Sequence, residues 1–370
     1  MTTSRIYRSL QNKYKDVDER VYVSDGITAL AVKTLSDDAG GIVDELLILK
    51  DVFGELRDNE IKNRLEVIVE LDSKLYGELD DYVNDNCKRS EKQIDNRRMP
   101  TPGIDIYEVD DEAADILVSW RHKAFVITKT GSNSLVIVID SISGEFHGLI
   151  KHLGTAPFVL SGKLHLMHGS SIHYNDKNII IAAESGHGKT TFGLLFGMND
   201  GALISEDISY ILGASDIINT GSKNYITVRK GTLYAFREYF KEYCTEEDVD
   251  PKKLYLAGED ESIRFGLDII DTYNDSGTTL EKMDIVIVPE IDGDYEGYEI
   301  SELNSDEINE INRISNRDYN TDWLTPFTAL NADTVELRNN CRIRGVRYVR
   351  LHTGFDYRDY FDNIIADLMG

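Results

Sequence analysis

The chain has 370 residues, with 66 acidic against 40 basic side chains and a formal net charge of -26. That balance excludes the attraction on which non-specific nucleic-acid binding rests, and it opposes docking on an anionic membrane. Hydrophobic residues at 41% and charged ones at 29% give a globular composition, long enough for two domains of roughly 150 residues or for one with an appendage.

The three cysteines, Cys87, Cys244 and Cys341, stand far apart and outside any C-x-x-C spacing. This argues against a disulfide framework or a cysteine zinc site and fits a reducing compartment. The opening run MTTSRIYRSLQNKYKD holds no apolar core of a leader peptide. The longest apolar runs, such as 179–183, fall far short of the roughly 20 residues that a spanning helix needs. The expectation is a soluble, cytoplasmic protein.

Residues 42–85 place apolar side chains at three- and four-residue intervals, which predicts one or two amphipathic helices. Such helices pack on the rest of the chain or form a seam between copies. None of the six prolines precedes Pro100, where MPTPG breaks the pattern. A mainly helical region is therefore expected over 1–100 and a second domain over 101–370. Beyond the break, HKAFVITKT and SLVIVIDSI flank Gly131-Ser132-Asn133 as a hairpin. KLHLMHGSSIHY and NIIIAA flank Asn175-Asp176-Lys177 in the same way. A glycine-rich loop, a helix over TTFGLLFGM and the strand ALISEDISYIL follow. Further strands are predicted at YITVRK, DIVIVPE and RIRGVRYVRLH, and helices near GTLYAFREYFKEY, 302–315 and 357–369.

The charge is uneven. Residues 241–320 hold 7 basic and 23 acidic side chains. A solvated acidic face explains such a run, and so does a surface for a basic partner.

The loop Ala183-Glu184-Ser185-Gly186-His187-Gly188-Lys189-Thr190-Thr191 lies between a β-branched run and a helix and is close to G-x-x-x-x-G-K-[ST]. Small residues let successive backbone N–H groups turn toward phosphate oxygens, and the helix N-terminus adds partial positive charge. In that pattern Lys189 reaches the β- and γ-phosphates and the Thr190 hydroxyl ligates Mg²⁺. Ser185, Gly186, His187, Gly188 and Thr191 complete the nucleotide-binding loop. One short helix later, ALISED ends an apolar strand in Glu206 and Asp207, two carboxylates able to divide metal support and proton acceptance. Upstream, His168 in LMHGSS lies on the strand that pairs into the loop strand. It is able to meet a divalent metal or the transferred phosphoryl group.

The run MHGSS…AESGHGKTT…LISED resembles the phosphoenolpyruvate carboxykinase-like phosphate-loop superfamily. It is similar to the histidine strand, GKT loop and paired-acid strand of ATP-dependent carboxykinases, and to HPr kinase/phosphorylase and HPr-kinase-like enzymes that phosphorylate serine. The pattern covers roughly 120–370, with alignable residues over about 163–210. Ala183 replaces the first glycine and Glu206 the first aspartate. The resemblance implies metal and base roles for His168, Glu206 and Asp207. It implies an α/β carboxykinase-like domain with a mixed sheet and flanking helices. The kinase branch is favoured, because the segments that bind oxaloacetate in the carboxykinases are not found.

The expected activity is transfer of the γ-phosphate of ATP, with Mg²⁺, to a serine or threonine hydroxyl of a protein or peptide, with a basic one suited to the acidic run. The rival expectations are a nucleotide-binding interaction protein without transfer, and a small-molecule or carboxykinase-type enzyme. Arg229, Arg338, Arg342, Arg344, Arg347 and Arg350 are the local cations that serve either phosphoryl charge or ion pairs with carboxylates.

Overall fold

The computed structural model describes residues 3–24, 28–45, 63–87, 104–109, 116–120, 123–129, 132–142, 146, 149–150, 153, 164–184, 186–206, 208–213, 216–219, 225–246, 249–256, 262–266, 279–315, 343 and 345–370. Their contacts divide into two compact α/β units, one over Met1–Leu164 and one over His165–Arg317 with Arg342–Gly370. No helix among the described residues is long and apolar enough to cross a membrane.

The first unit runs α1 (Thr3–Lys13), β1 (Arg20–Ser24), β2 (Thr28–Thr34), α2 (Asp37–Glu45), β3 (Asn63–Leu71), α3 (Ser73–Asn86), β4 (Ile104–Glu108), β5 (Ile116–Trp120), β6 (Ala124–Thr128) and β7 (Ser134–Ile139). Its seven-stranded sheet has the order β1-β2-β3-β7-β6-β5-β4. The β2–β3 and β3–β7 pairs are parallel, and β7, β6, β5 and β4 form an antiparallel run.

The expectation of a mainly helical 1–100 gives way to this sheet. In β3, Leu65, Val67 and Val69 enter one core while Ile68 enters the other. A strand covered on both faces carries apolar side chains on consecutive positions, and such a run also fits helical spacing. The boundary expected at residue 100 shifts for the same reason. Strands from both sides of it share one sheet, joined by the parallel β3–β7 ladder.

Helices cover this sheet. Ile6, Tyr7 and Leu10 of α1 and Leu79 and Val83 of α3 pack with Phe125, Ile127, Val136 and Val138 on one face. Ala39 of α2, Phe146, Leu149, Ile150 and Leu153 pack on the other. The buried face of α3, within the 42–85 stretch expected to pack or to form a seam between copies, packs on its own sheet, as does that of α1.

The second unit runs β8 (Leu164–Tyr174), β9 (Lys177–Ala182), α4 (Lys189–Gly197), β10 (Ala202–Ser205), β11 (Ile208–Leu212), β12 (Asp216–Asn219), β13 (Tyr225–Arg229), α5 (Lys230–Ala235), α6 (Pro251–Leu256), β14 (Ser262–Gly266), β15 (Thr279–Lys282), β16 (Ile285–Ile291), β17 (Tyr298–Glu302), α7 (Ser305–Ser315), β18 (Arg347–Thr353) and α8 (Phe361–Met369). Nine strands form a mixed sheet of order β15-β12-β11-β8-β9-β16-β18-β17, with β10 also on β8, and β13 pairs β14 separately. The β8–β9 hairpin turns on Asn175 and Asp176, with φ of 46° and 58°. Two left-handed residues in a two-residue loop match the twist of the strands, and Asn and Asp tolerate that conformation. Parallel pairing of β9 with β16 and of β16 with β18 brings three carboxyl ends to one edge.

Two contacts give measurable expectations. Asp72 caps α3, its Oδ1 accepting from the backbone N–H groups of Lys74 and Leu75 at 3.0 Å each. Asp72→Ala should cost about 1 kcal/mol in denaturant unfolding with little change in slope. In the second unit, Arg358 donates to Glu238 and to the Ala235 carbonyl, tying the turn before α8 to the end of α5. Burial pushes the Glu238 carboxyl up, but hydrogen bonds from Arg358 and backbone together with Arg358's charge outweigh it and hold the group below its ordinary value. A depressed carboxyl stabilises the fold above its unfolded-state pKa, and that contribution disappears as pH falls through the lower folded value. Melting temperatures from pH 7 down to pH 3 should therefore drop more for the wild type than for Glu238→Gln.

Candidate active site

The glycine-rich loop leaves the carboxyl end of β9 and enters α4. Gly186 and Gly188 have φ of 86° and 87°, a region that costs an L side chain energy, and Gly188 is the N-cap. Helix α4 is buried on nearly every side, with Phe192, Leu194, Leu195 and Phe196 packed against Ile172, Ile179 and Ile181 of the sheet. The free N–H groups of its first turn open at the loop.

Lys189 is only 8% exposed, and its Nζ donates to the carbonyls of Ala183 at 3.0 Å and Glu184 at 2.8 Å. A buried ammonium needs such partners, and these two draw the start of the loop onto its end. Thr190 Oγ1 donates to Glu206 Oε1 at 3.0 Å, and the other oxygen of that carboxylate accepts from Ser170 Oγ. Three separate elements therefore meet at Glu206: α4 through Thr190, β8 through Ser170, and the end of β10. Thr191, one residue further, shares a 2.8 Å hydrogen bond with Thr232 of α5.

His168 lies on β8 two residues before Ser170, hence on the same face, and is 8% exposed. Gly169 pairs with Ala182, so His168 stands level with the point where the chain leaves β9 for the loop. His187 is exposed on the loop. Of the expected site residues, Thr190 and Glu206 meet directly, and Lys189, Gly186, Gly188, Thr191 and His168 lie on the same loop, the helix it enters or the adjoining strand. Ser185 and Asp207 are outside the described residues.

Sequence reasoning assigned no role to Ser170. Its signal was the two-residue alternation after His168, which puts both side chains on the face beneath α4. On the opposite face of β8, Ser171 hydrogen-bonds Ser205 and, at 3.0 Å, Ser209, while Ser209 donates to the Gly169 carbonyl at 3.2 Å. These buried hydroxyls satisfy one another and pin the strand end that presents Glu206.

The arginines expected near the C-terminus divide. Arg338, Arg342 and Arg344 are outside the described residues. Arg347 pairs with Glu302, and Arg350 with Glu307 and Glu290. Those two act as surface ion-pair partners.

Thr190 and Glu206 supply the hard oxygen donors that suit Mg²⁺, which binds through one or two carboxylates together with phosphate oxygens and water. Among the described residues no three His, Cys, Asp or Glu side chains form a metal cage.

The loop geometry makes a stability prediction. A Cβ on Gly188 would lie 2.8 Å from Ile291 Cδ1 as well as requiring the left-handed backbone. Gly188→Ala should therefore lose roughly 1–3 kcal/mol, read as a lowered melting temperature in the absence of any ligand. Compared with models of protein families and with curated proteins, the sequence matches none.

Proposed function

We propose that this chain is a phosphotransferase that binds ATP on the 183–191 loop and passes the γ-phosphate to a serine or threonine hydroxyl of a protein or peptide. The observation that carries this reading is one constellation at the carboxyl end of β9. Two left-handed glycines, a helix N-terminus, the buried Lys189 ammonium and the Thr190 hydroxyl on Glu206 converge there. On this reading the second unit belongs with the carboxykinase-like phosphate-loop kinases and works in the cytoplasm. The acidic run over 241–320 favours a basic acceptor.

The chemistry follows from the groups present. The acceptor oxygen bonds to the γ-phosphorus as the bond from that phosphorus to the β,γ-bridging oxygen breaks, and ADP leaves. The hydroxyl proton passes to a carboxylate of the Glu206–Asp207 pair. Lys189 exchanges its two loop carbonyls for phosphate oxygens, so the cation is in place before ATP arrives. Thr190 and Glu206 would hold Mg²⁺, which would supply neutralisation of the phosphate charge. Ser170 keeps Glu206 aimed at α4, and His168 supplies a buried imidazole at the mouth of the loop.

Transfer of labelled γ-phosphate from ATP to cellular proteins and peptides tests this reading. Glu206→Gln and Asp207→Asn should slow transfer by about 10²–10⁴-fold where the replaced group is the base. Lys189→Ala should abolish measurable transfer. Undiminished transfer in Lys189→Ala would sink the assignment. Tight ATP binding by the wild type with no phosphorylated product from any acceptor pool would instead identify a nucleotide-binding interaction protein. Oxaloacetate and free hydroxy amino acids assayed beside peptides separate small-molecule phosphorylation from action on proteins.

A further inference from the structure

Arg229, the last residue of β13, brings its guanidinium to the glycine loop. A Cβ on Gly186 would lie 3.1 Å from Arg229 Nη1 and 3.8 Å from its Cζ. The absence of a side chain at Gly186 is what lets the guanidinium approach the loop backbone so closely. The approach is fixed from several directions. Val228, the preceding residue, is fully buried in the core that also holds Phe192 of α4. Arg229 itself is extended, with φ of -74° and ψ of 154°, and its backbone pairs with Ser262 of β14. Three residues later, Thr232 hydrogen-bonds Thr191, so the helix that follows Arg229 is tied to the helix that follows the loop.

We propose that Arg229 is a second phosphate-binding cation of this site, gripping the terminal phosphates of a nucleoside triphosphate across Gly186 while Lys189 acts from within the loop. The inference rests on the phosphotransferase reading given above and adds a residue that lies outside the loop motif. The chemistry suits the task. A guanidinium stays charged at any working pH, and its planar fork matches two phosphate oxygens at once. Lysine in the loop is a point charge with no such fork. The two cations thus divide the work: Lys189 neutralises, and Arg229 orients. A polyphosphate also needs both, because the Glu206 carboxylate stands at the same loop and repels it.

The test is equilibrium binding of ATP–Mg²⁺ to the full chain, with inorganic tripolyphosphate as a competing probe that carries phosphates and no base. The proteins are the wild type, Arg229→Gln, Arg229→Lys and Arg237→Gln, the last removing an exposed arginine eight residues on. Melting temperatures are recorded beside each titration, and Arg229→Lys keeps the charge should Arg229→Gln fold poorly. Arg229→Gln should weaken both ATP–Mg²⁺ and tripolyphosphate by about 10- to 100-fold, as expected for loss of a charge-assisted hydrogen bond. Arg229→Lys should fall between it and the wild type, and Arg237→Gln should leave both affinities unchanged. Equal affinities in wild type, Arg229→Gln and Arg229→Lys would overturn the role of Arg229 while leaving the loop as the nucleotide site. A wild type that binds neither ATP–Mg²⁺ nor tripolyphosphate would overturn the phosphotransferase reading, and the role of Arg229 with it.

Discussion

The second unit depends on β9 having no free edge. The strand pairs antiparallel with β8 on one side and parallel with β16 on the other, and residues Asn178 to Ala182 are buried on both faces. A segment held in this way can leave the sheet only at its end, and there it must turn at once. Gly186 and Gly188 provide the turn, and α4 follows within seven residues of the strand. The parallel ladder has a second consequence. It sets the carboxyl ends of β16 and β18 beside that turn, and in open α/β sheets this edge is where ligands bind. Ile291, closing β16, rests against the N-cap glycine of α4. The loop is therefore shaped by packing.

Glu206 shows how the polar groups answer to the same constraint. Its carboxylate accepts from two hydroxyls, Thr190 and Ser170. Hydroxyl partners fix its direction without neutralising its charge, so the oxygen atoms keep their capacity to meet a metal or a proton. Behind it, Ser171, Ser205 and Ser209 bond among themselves, which closes the gap left where the β8–β10 register shifts between Leu203 and Ser205. Contrast the pairs made by Arg347 and Arg350. Those join side chains that water reaches, where solvent screening weakens the ion pair.

Much of this site was legible because its signals are local. Positive-φ glycines, a lysine and threonine opening a helix, and a hairpin turning on Asn-Asp are written within a few residues of one another. So were β6, β7, β8, β9, β16 and β18, whose β-branched runs have turn residues on either side. Ser170 was harder. Its role depends on a contact 36 residues away, and within HGSS only its place two residues after His168 separates it from Ser171, which faces the other side and serves the hydroxyl cluster. The first unit was misjudged for a different physical reason. In β3 the alternation of Leu65, Val67, Val69 and Leu71 is broken by Ile68, which enters the other core, and Leu65, Ile68 and Val69 fit helical spacing as well as they fit a strand. The β-branched sequence Val67-Ile68-Val69 also favoured a strand, and propensity is the weaker signal.

The charge of -26 bears on the site through what it takes out of use. Arg313, Arg347, Arg350 and Arg358 are each paired with at least one glutamate, so the acidic excess consumes cations that lie within reach of it. Lys189 is buried, and its ammonium donates to two backbone carbonyls, dipoles that hold it without cancelling its charge. A cation kept this way retains its full field, in surroundings where water and salt screen it less than they would at the surface. The same logic explains why the loop relies on N–H groups and a helix end. Neither can be titrated away or captured by a passing carboxylate. In a strongly acidic chain, a site for a polyanion has to be built from backbone dipoles and sequestered cations, and the end of β9 is where the described fold supplies them together.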